Sequence, residues 1–376
     1  MRSRARGCAA NLLLLALAVA LTCAAGEVMV RLVRPRPLEA AYVWPDGTLR
    51  HRPSFSHVYT RPGFSNRIRY NALGLRGPEI ALSPPDNVSR VLFLGDSFVE
   101  GKQVGEERVL TAVLSARARA DGHPIDVINA GVSGYGTAEE ILLWDHLGAS
   151  LRPDLVVVGF YPNDVRNNAD RRLFALREGQ VVPRRAPPLP KVRWVYDIRR
   201  WLGARSHLYI LFTEGLELLD RTEAGAGAPL EAEDVFAREP SPRVAQGWEL
   251  TLALLETLRA RAESAGARFA VVLFPTRFQV DDALWMAQAR ARGMDASSYD
   301  LRVPQEKLVP WAAERGIVLL DLLPVFRDAN RGNSFYHAVD AHWNEAGHRL
   351  AADAIYAGLA FPTLTRAGRS TVSRSR

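Results

Sequence analysis

From residue 91 to about 360 the apolar positions follow two alternating rhythms. Short apolar runs at 91–94 (Val-Leu-Phe-Leu), 125–128, 155–160, 269–274 and 317–320 are rich in Val, Ile and Leu and alternate little with polar residues. Runs of this kind read as strands buried on both faces, the pattern of a parallel sheet. Helical stretches lie between them and are expected over 107–120, 138–147, 243–265, 303–315 and 344–359. Gly266 and Gly316 directly follow two of these, where glycine permits a left-handed cap. The alternation of strand and helix predicts an α/β fold, a doubly wound, flavodoxin-like parallel sheet.

Two stretches break the rhythm. Residues 34–90 are rich in Pro, Arg and aromatics with little periodicity, and read as an irregular lead-in with an ordered turn or short hairpin at 71–79. Residues 166–241 separate the third strand from the fourth and hold Pro183, Pro187, Pro188 and Pro190 among several aromatic residues. No strand–helix unit is legible there, and the segment reads as an insertion able to cap the edge of a site. The expected organisation is therefore an N-terminal segment 1–33, the lead-in 34–90, a catalytic-type domain 91–362 and a basic, Ser-rich tail 363–376 expected to be disordered.

The N-terminal segment is a targeting or anchoring device. Arg2, Arg4 and Arg6 precede a charge-free run over 8–26, just long enough to cross a bilayer. Arginines on that side place the body outside the cytoplasm, in a bacterial periplasm or at the cell surface. An uncleaved transmembrane anchor is the preferred reading. A signal peptide cleaved near Cys23-Ala24-Ala25, which would release the body, and lipidation at Cys23 are the alternatives.

Charge removes one class of partner. The net charge is +7, but residues 1–36 carry +5 and residues 366–376 carry +4, so the body between them sums to −2. A body near neutrality with no basic, aromatic-rich patch is not a nucleic-acid binder. Cys8 and Cys23 are the only cysteines, so the body has neither a disulfide framework nor a cysteine-type zinc site.

Candidate chemistry collects where strands end, the edge at which open α/β folds bind ligands. Gly95-Asp96-Ser97 follows the first strand, Gly134 lies in the loop after the second, and Asn163-Asp164 follow the third. Asp340-Ala-His342-Trp343-Asn344 precedes the last helix. Acyl transfer by a serine needs a base for its proton and a group to hold that base in the right tautomer. Ser97 is the candidate nucleophile, His342 the base and Asp340 its orienting partner. The Ser97 N–H, the Gly134 N–H and the Asn163 side-chain amide are candidate donors to an oxyanion. Asp96 and Asp164 read as turn or cap residues. His348, which otherwise reads as a helix-face residue, and His337 are rival bases. Arg277 reads as a contact for an anionic or sugar substrate or as a solvated loop arginine, and Trp343 equally as a pocket wall or a packing residue.

This ordered set resembles the SGNH, or GDSL-type, serine hydrolase family. Gly95-Asp96-Ser97 matches its first block, Gly134 its second, 159–164 its third, and Asp340 with His342 its last. The resemblance implies a flavodoxin-like fold, ester or acyl chemistry at the serine, and no metal or cofactor. Two positions depart from the family pattern. The last block is Asp-x-His rather than Asp-x-x-His, which bears on the orienting role of Asp340. Tyr161-Pro162 precede Asn163, and proline holds Tyr161 extended.

Three functions remain open on these grounds. The first is an exported serine esterase acting on an O-acylated carbohydrate or lipid. The second is an O-acyltransferase modifying envelope polysaccharide with the same residues. The third is a non-catalytic glycan- or partner-binding module.

Overall fold

The five apolar runs form five parallel strands in the computed structural model of the chain. The structure describes residues 2–33, 35, 41–44, 48–184, 198–199, 201–203, 205–213, 234–330, 334–338 and 340–364. The chain divides into two compact units, one from 1–42 with 188–228, the other from 43–187 with 229–376.

In the first unit helix α1 (Arg2–Val33) contains a 21-residue apolar span, Leu13–Val33, of mean hydropathy 2.2, none of it buried. At 1.5 Å per residue the span covers about 30 Å, the thickness of a bilayer core. It lies further along the chain than the charge-free run at 8–26 and includes Glu27 and Arg31. The Glu27 carboxylate accepts hydrogen bonds from Ser206 Oγ (2.8 Å), His207 N (3.0 Å) and Leu208 N (2.9 Å). It thereby caps the helical segment that begins at His207. This part of the expected insertion thus packs with α1. Residues 185–197 and 214–233, and the expected disordered tail beyond 364, lie outside the described residues.

The second unit opens with a feature the lead-in did not suggest. An antiparallel hairpin pairs β1 (Phe55–Arg61) with β2 (Phe64–Tyr70). Its signal was present but short: apolar residues alternate, and Pro62-Gly63 supplies the turn. The sheet strands follow as β3 (Ser89–Gly95), β4 (Ile125–Gly131) and β5 (Leu155–Phe160). A second hairpin, β6 (Phe174–Arg177) and β7 (Gln180–Pro183), opens the insertion. The sheet ends with β8 (Arg268–Leu273) and β9 (Val318–Asp321). The order β9-β8-β5-β3-β4 corresponds to 2-1-3-4-5 for the parallel strands in chain order. That is the doubly wound, flavodoxin-like order, with its switch point between β3 and β5.

Alternate strand residues face opposite helical layers. Leu92, Leu94, Val156, Val158, Val271 and Leu273 share one core with Trp144, Trp248, Leu254 and Trp311. Val91, Phe93, Val157 and Val272 share the other with Leu114, Phe326, Trp343 and Ile355. The flanking helices are α2 (Ser97–Glu100), α3 (Leu110–Ala120), α4 (Thr137–His146) and α5 (Asn163–Arg171). Further on come α6 (Pro242–Ser264), α7 (Arg277–Val280), α8 (Asp282–Ala291), α9 (Val303–Glu314), α10 (Leu323–Ala329) and α11 (Glu345–Gly358). Helix α5 corrects the insertion boundary: position 166 lies inside that helix, and the departure from strand–helix rhythm starts after Arg171.

Candidate active site

Gly95, Gly131 and Gly159 stand in register at the carboxyl ends of the three adjoining strands β3, β4 and β5. The missing side chains let α2 settle directly on the sheet. A Cβ at Gly95, whose φ is +154°, would lie 2.4 Å from Val99 Cγ2 and 3.0 Å from Gly159 O. The sheet edge is therefore cut away under the turn that carries Ser97. Asp96, fully buried, caps α2 by accepting from Phe98 N at 2.9 Å. This is the cap role expected for it.

Ser97 meets His342 across the switch point. His342 Nε2 lies 2.7 Å from Ser97 Oγ. On the other side of the ring, His342 Nδ1 bonds to Asp340 Oδ1, which also accepts the His342 backbone N–H at 2.9 Å. The shortened Asp-x-His spacing thus folds into a tight turn in which one carboxylate oxygen holds both the ring and the backbone of the same histidine. Burial works to raise the Asp340 carboxyl, but its bonds to His342, the His342 charge and the Gln103 side chain outweigh it and hold the pKa at about 2. Asp340 is accordingly an anion at any neutral pH. Gln103, buried behind it, carried no sequence signal as a site residue.

Asn163 opens α5 and donates Nδ2 to Asp96 Oδ2 at 3.2 Å. One amide proton is thereby fixed and the second left for a ligand. Gly134 has φ +80°, a left-handed conformation that glycine adopts without strain. Its carbonyl is held by Arg171 Nη2 (2.8 Å) and Asn167 Nδ2 (3.2 Å), both from α5. Ser97 is the first residue of α2, so its N–H has no intrahelical acceptor. Burial raises the Asp96 carboxyl. It raises Asp164 and Glu140 much further, and repulsion among these carboxyls adds to the rise. Asp164 also accepts from Tyr161 N at 3.3 Å, which makes it the turn residue expected.

The rival histidines have other partners. His348 is buried in α11, where its Nδ1 accepts from Leu110 N at 3.3 Å. Burial, reinforced by Arg76, depresses it to about 3, so it is a neutral packing residue. His337 donates its backbone N–H to His342 O at 3.0 Å and packs its ring on Phe64. Arg277 donates to Ala338 O at 3.3 Å and so braces the loop that carries Asp340. Of the two readings of Trp343, the structure selects packing. Trp343 is 0 % exposed and packs on Phe98, Phe274, Phe326 and His348, so it is core rather than pocket wall. The alternation of the loop points His342 out to Ser97 and its neighbour inward.

A hydroxyl bonded to an imidazole, an imidazole bonded to a carboxylate, and unspent N–H donors on the same edge constitute the equipment for acyl chemistry. The family model of the GDSL-like lipase/acylhydrolase family matches residues 93–350, and the chain belongs to that family. It is an enzyme of the ester-hydrolysing class. Solved structures similar to it include the acetyl xylan esterase AlAXEase, at 14% identity and TM-score 0.43 over 72% of this chain and 99% of that one. LAE5, an alpha/beta hydrolase enzyme from the metagenome of Lake Arreo, Spain, gives 16% and 0.42 over 73% and 95%. TesA gives 13% and 0.40 over 72% and 98%. No curated protein matches the chain.

Proposed function

We propose that the chain is a membrane-anchored, extracytoplasmic serine esterase that removes O-acyl groups from envelope carbohydrate or lipid through Ser97, His342 and Asp340. The observation that carries this reading is the unbroken relay from Ser97 Oγ through His342 Nε2, at 2.7 Å, to Asp340. The apolar span Leu13–Val33 supports the anchor, and the arginines before it support export.

In the reaction Ser97 Oγ attacks the ester carbonyl as His342 Nε2 takes its proton. Asp340 keeps the second ring proton on Nδ1 and balances the imidazolium. The Ser97 and Gly134 N–H groups and Asn163 Nδ2 receive the oxyanion. Collapse expels the alcohol, which takes the proton from His342 and leaves the acyl group on Ser97. Water, deprotonated by His342, repeats the sequence and frees the acid.

The test is hydrolysis of short p-nitrophenyl esters by the full chain in detergent. Ser97→Ala and His342→Ala should each lose at least ~10³-fold in kcat, given what nucleophile and base deletions cost elsewhere. A Ser97→Ala rate equal to wild type would sink the assignment. Product analysis with and without an oligosaccharide acceptor separates hydrolysis from acyl transfer.

A further inference from the structure

Glu100 closes α2, three residues after the nucleophile, and is 0 % exposed. An ionised carboxylate in such a place is costly unless its lone pairs are all engaged. Here they are. Oε1 accepts from Tyr70 Oη at 2.6 Å and faces His51 Nε2 at 3.0 Å. Oε2 accepts from Ser133 N at 2.7 Å and also from Ser133 Oγ, with Lys102 Nζ 3.5 Å away. Four hydrogen bonds fill the roughly four acceptor positions a carboxylate offers. Burial opposes the charge, but Lys102 and His51, with the bonds from His51 and Ser133, hold the carboxyl well below the usual range.

The partners come from two places that the sequence reading kept apart. His51 and Tyr70 belong to the lead-in, and their rings stack with centroids 4.0 Å apart. Ser133 belongs to the loop after β4 and immediately precedes Gly134. From the same lead-in, Arg76 donates to Glu100 O and, at 2.7 Å, to Val104 O.

We propose that Glu100 is a positioning residue for ester hydrolysis, tying the turn that carries Ser97 to the loop that carries Gly134 and so setting the Gly134 N–H opposite the nucleophile. The proposal rests on the serine esterase reading above. The geometry explains how it works. The backbone on either side of the Gly134 N–H is held, by Glu100 at the Ser133 N–H and by Arg171 and Asn167 at the Gly134 carbonyl. Rotation of the N–H between those two clamps is thereby restrained. The lead-in is then part of the catalytic machinery, since it supplies half of the donors that saturate the brace.

The decisive variant is Glu100→Gln in the full chain. An amide has one accepting oxygen and one donating nitrogen, so either orientation turns an NH₂ group on a pair of donors. We expect kcat for p-nitrophenyl acetate to fall about 10- to 10²-fold, short of the ~10²–10³ lost when an oxyanion donor is removed outright. KM should stay within about threefold. The inhibition constant of methylboronic acid, which forms a tetrahedral adduct on a serine, should rise in parallel with the loss of kcat. Amide exchange at Ser133, whose N–H is bonded to Glu100, should quicken at least ~10-fold while β5 stays protected.

Unchanged exchange at Ser133 overturns the brace. Faster exchange with unchanged kcat and boronate affinity overturns its positioning role. If Glu100→Gln does not fold, Ser133→Ala keeps the buried charge and one of the two bonds. It should lower kcat about three- to tenfold in a protein that still folds, with a melting temperature about a few degrees below wild type for the one hydrogen bond lost to a buried carboxylate. No change in kcat there overturns the proposal. A wild type without Ser97-dependent turnover refutes the esterase reading instead, and the exchange result still decides whether Glu100 braces the loop.

Discussion

On the proposed mechanism, replacing Asn163 by Ala removes the one side-chain donor to the oxyanion while leaving the backbone donors at Ser97 and Gly134 in place. Loss of a single donor of this type costs about 10²- to 10³-fold in kcat, or about 3–4 kcal/mol of barrier. The oxyanion exists only after attack, so the ground-state complex should barely notice and KM should hold within about threefold. A second, separable effect follows from the bond between Asn163 Nδ2 and Asp96 Oδ2. Asp96 is fully buried, and leaving its oxygen unpaired costs about 1–3 kcal/mol of stability. Burial already raises this carboxyl, which lets it take up a proton and keeps the loss toward the low end. Steady-state kinetics with p-nitrophenyl acetate and urea unfolding read the two effects independently. Asn163→Asp, which keeps the size but not the donor, should lose at least as much kcat. A folded Asn163→Ala with kcat within threefold of wild type would refute the oxyanion assignment.

Other outcomes follow from the same geometry. Asp340→Asn should cut kcat about 10³- to 10⁴-fold in a folded protein, because an amide facing Nδ1 moves the ring proton to the nitrogen that must act as base. Its stability difference from wild type should be full above the ordinary pKa of 3.8 and vanish as pH falls through about 2, because ionised Asp340 stabilises only the folded state. His348 has the opposite chemistry but the same sign: depressed from 6.5 to about 3, it stays neutral in the fold while the unfolded chain takes a proton. Urea midpoints of wild type should therefore fall with pH between about 6.5 and 3 more steeply than those of His348→Asn; parallel curves would contradict the buried neutral state. Trp343→Ala should cost about 3–5 kcal/mol, measured by urea unfolding, as a large buried aromatic does, and a loss below 1 kcal/mol would show that the ring is not core.

The sheet was legible because strands buried on both faces leave unbroken Val, Ile and Leu runs that little else produces. The 155–160 run matched its strand, and the other four ended within three residues of the structure. Ser97, His342 and Asp340 were legible because their spacing along the chain places each at a strand or helix boundary. The lead-in hairpin was harder to read. Its strands are only half buried, and a seven-residue alternation around Pro62-Gly63 is weak beside an Arg- and Pro-rich background. Helix α5 was obscured by its composition: Asn163-Asp-Val-Arg-Asn-Asn-Ala-Asp-Arg171 carries few apolar residues, and its place comes from tertiary packing against α6. Glu100 and Gln103 gave no sign because buried polar residues are defined by partners far away in sequence. Trp343 was ambiguous because an aromatic next to a candidate base reads equally as wall or core; the turn at Asp340 points successive side chains in opposite directions and puts it in the core.

Covalent trapping reaches the central claim most directly. The full chain is treated with a fluorophosphonate, which reacts with activated serines, and the adduct is located by peptide mass spectrometry. The account expects the label on Ser97, none on Ser97→Ala, and labelling slowed at least ~10²-fold by His342→Ala through loss of the base. An adduct on another residue, or ester turnover that survives in Ser97→Ala, would contradict it.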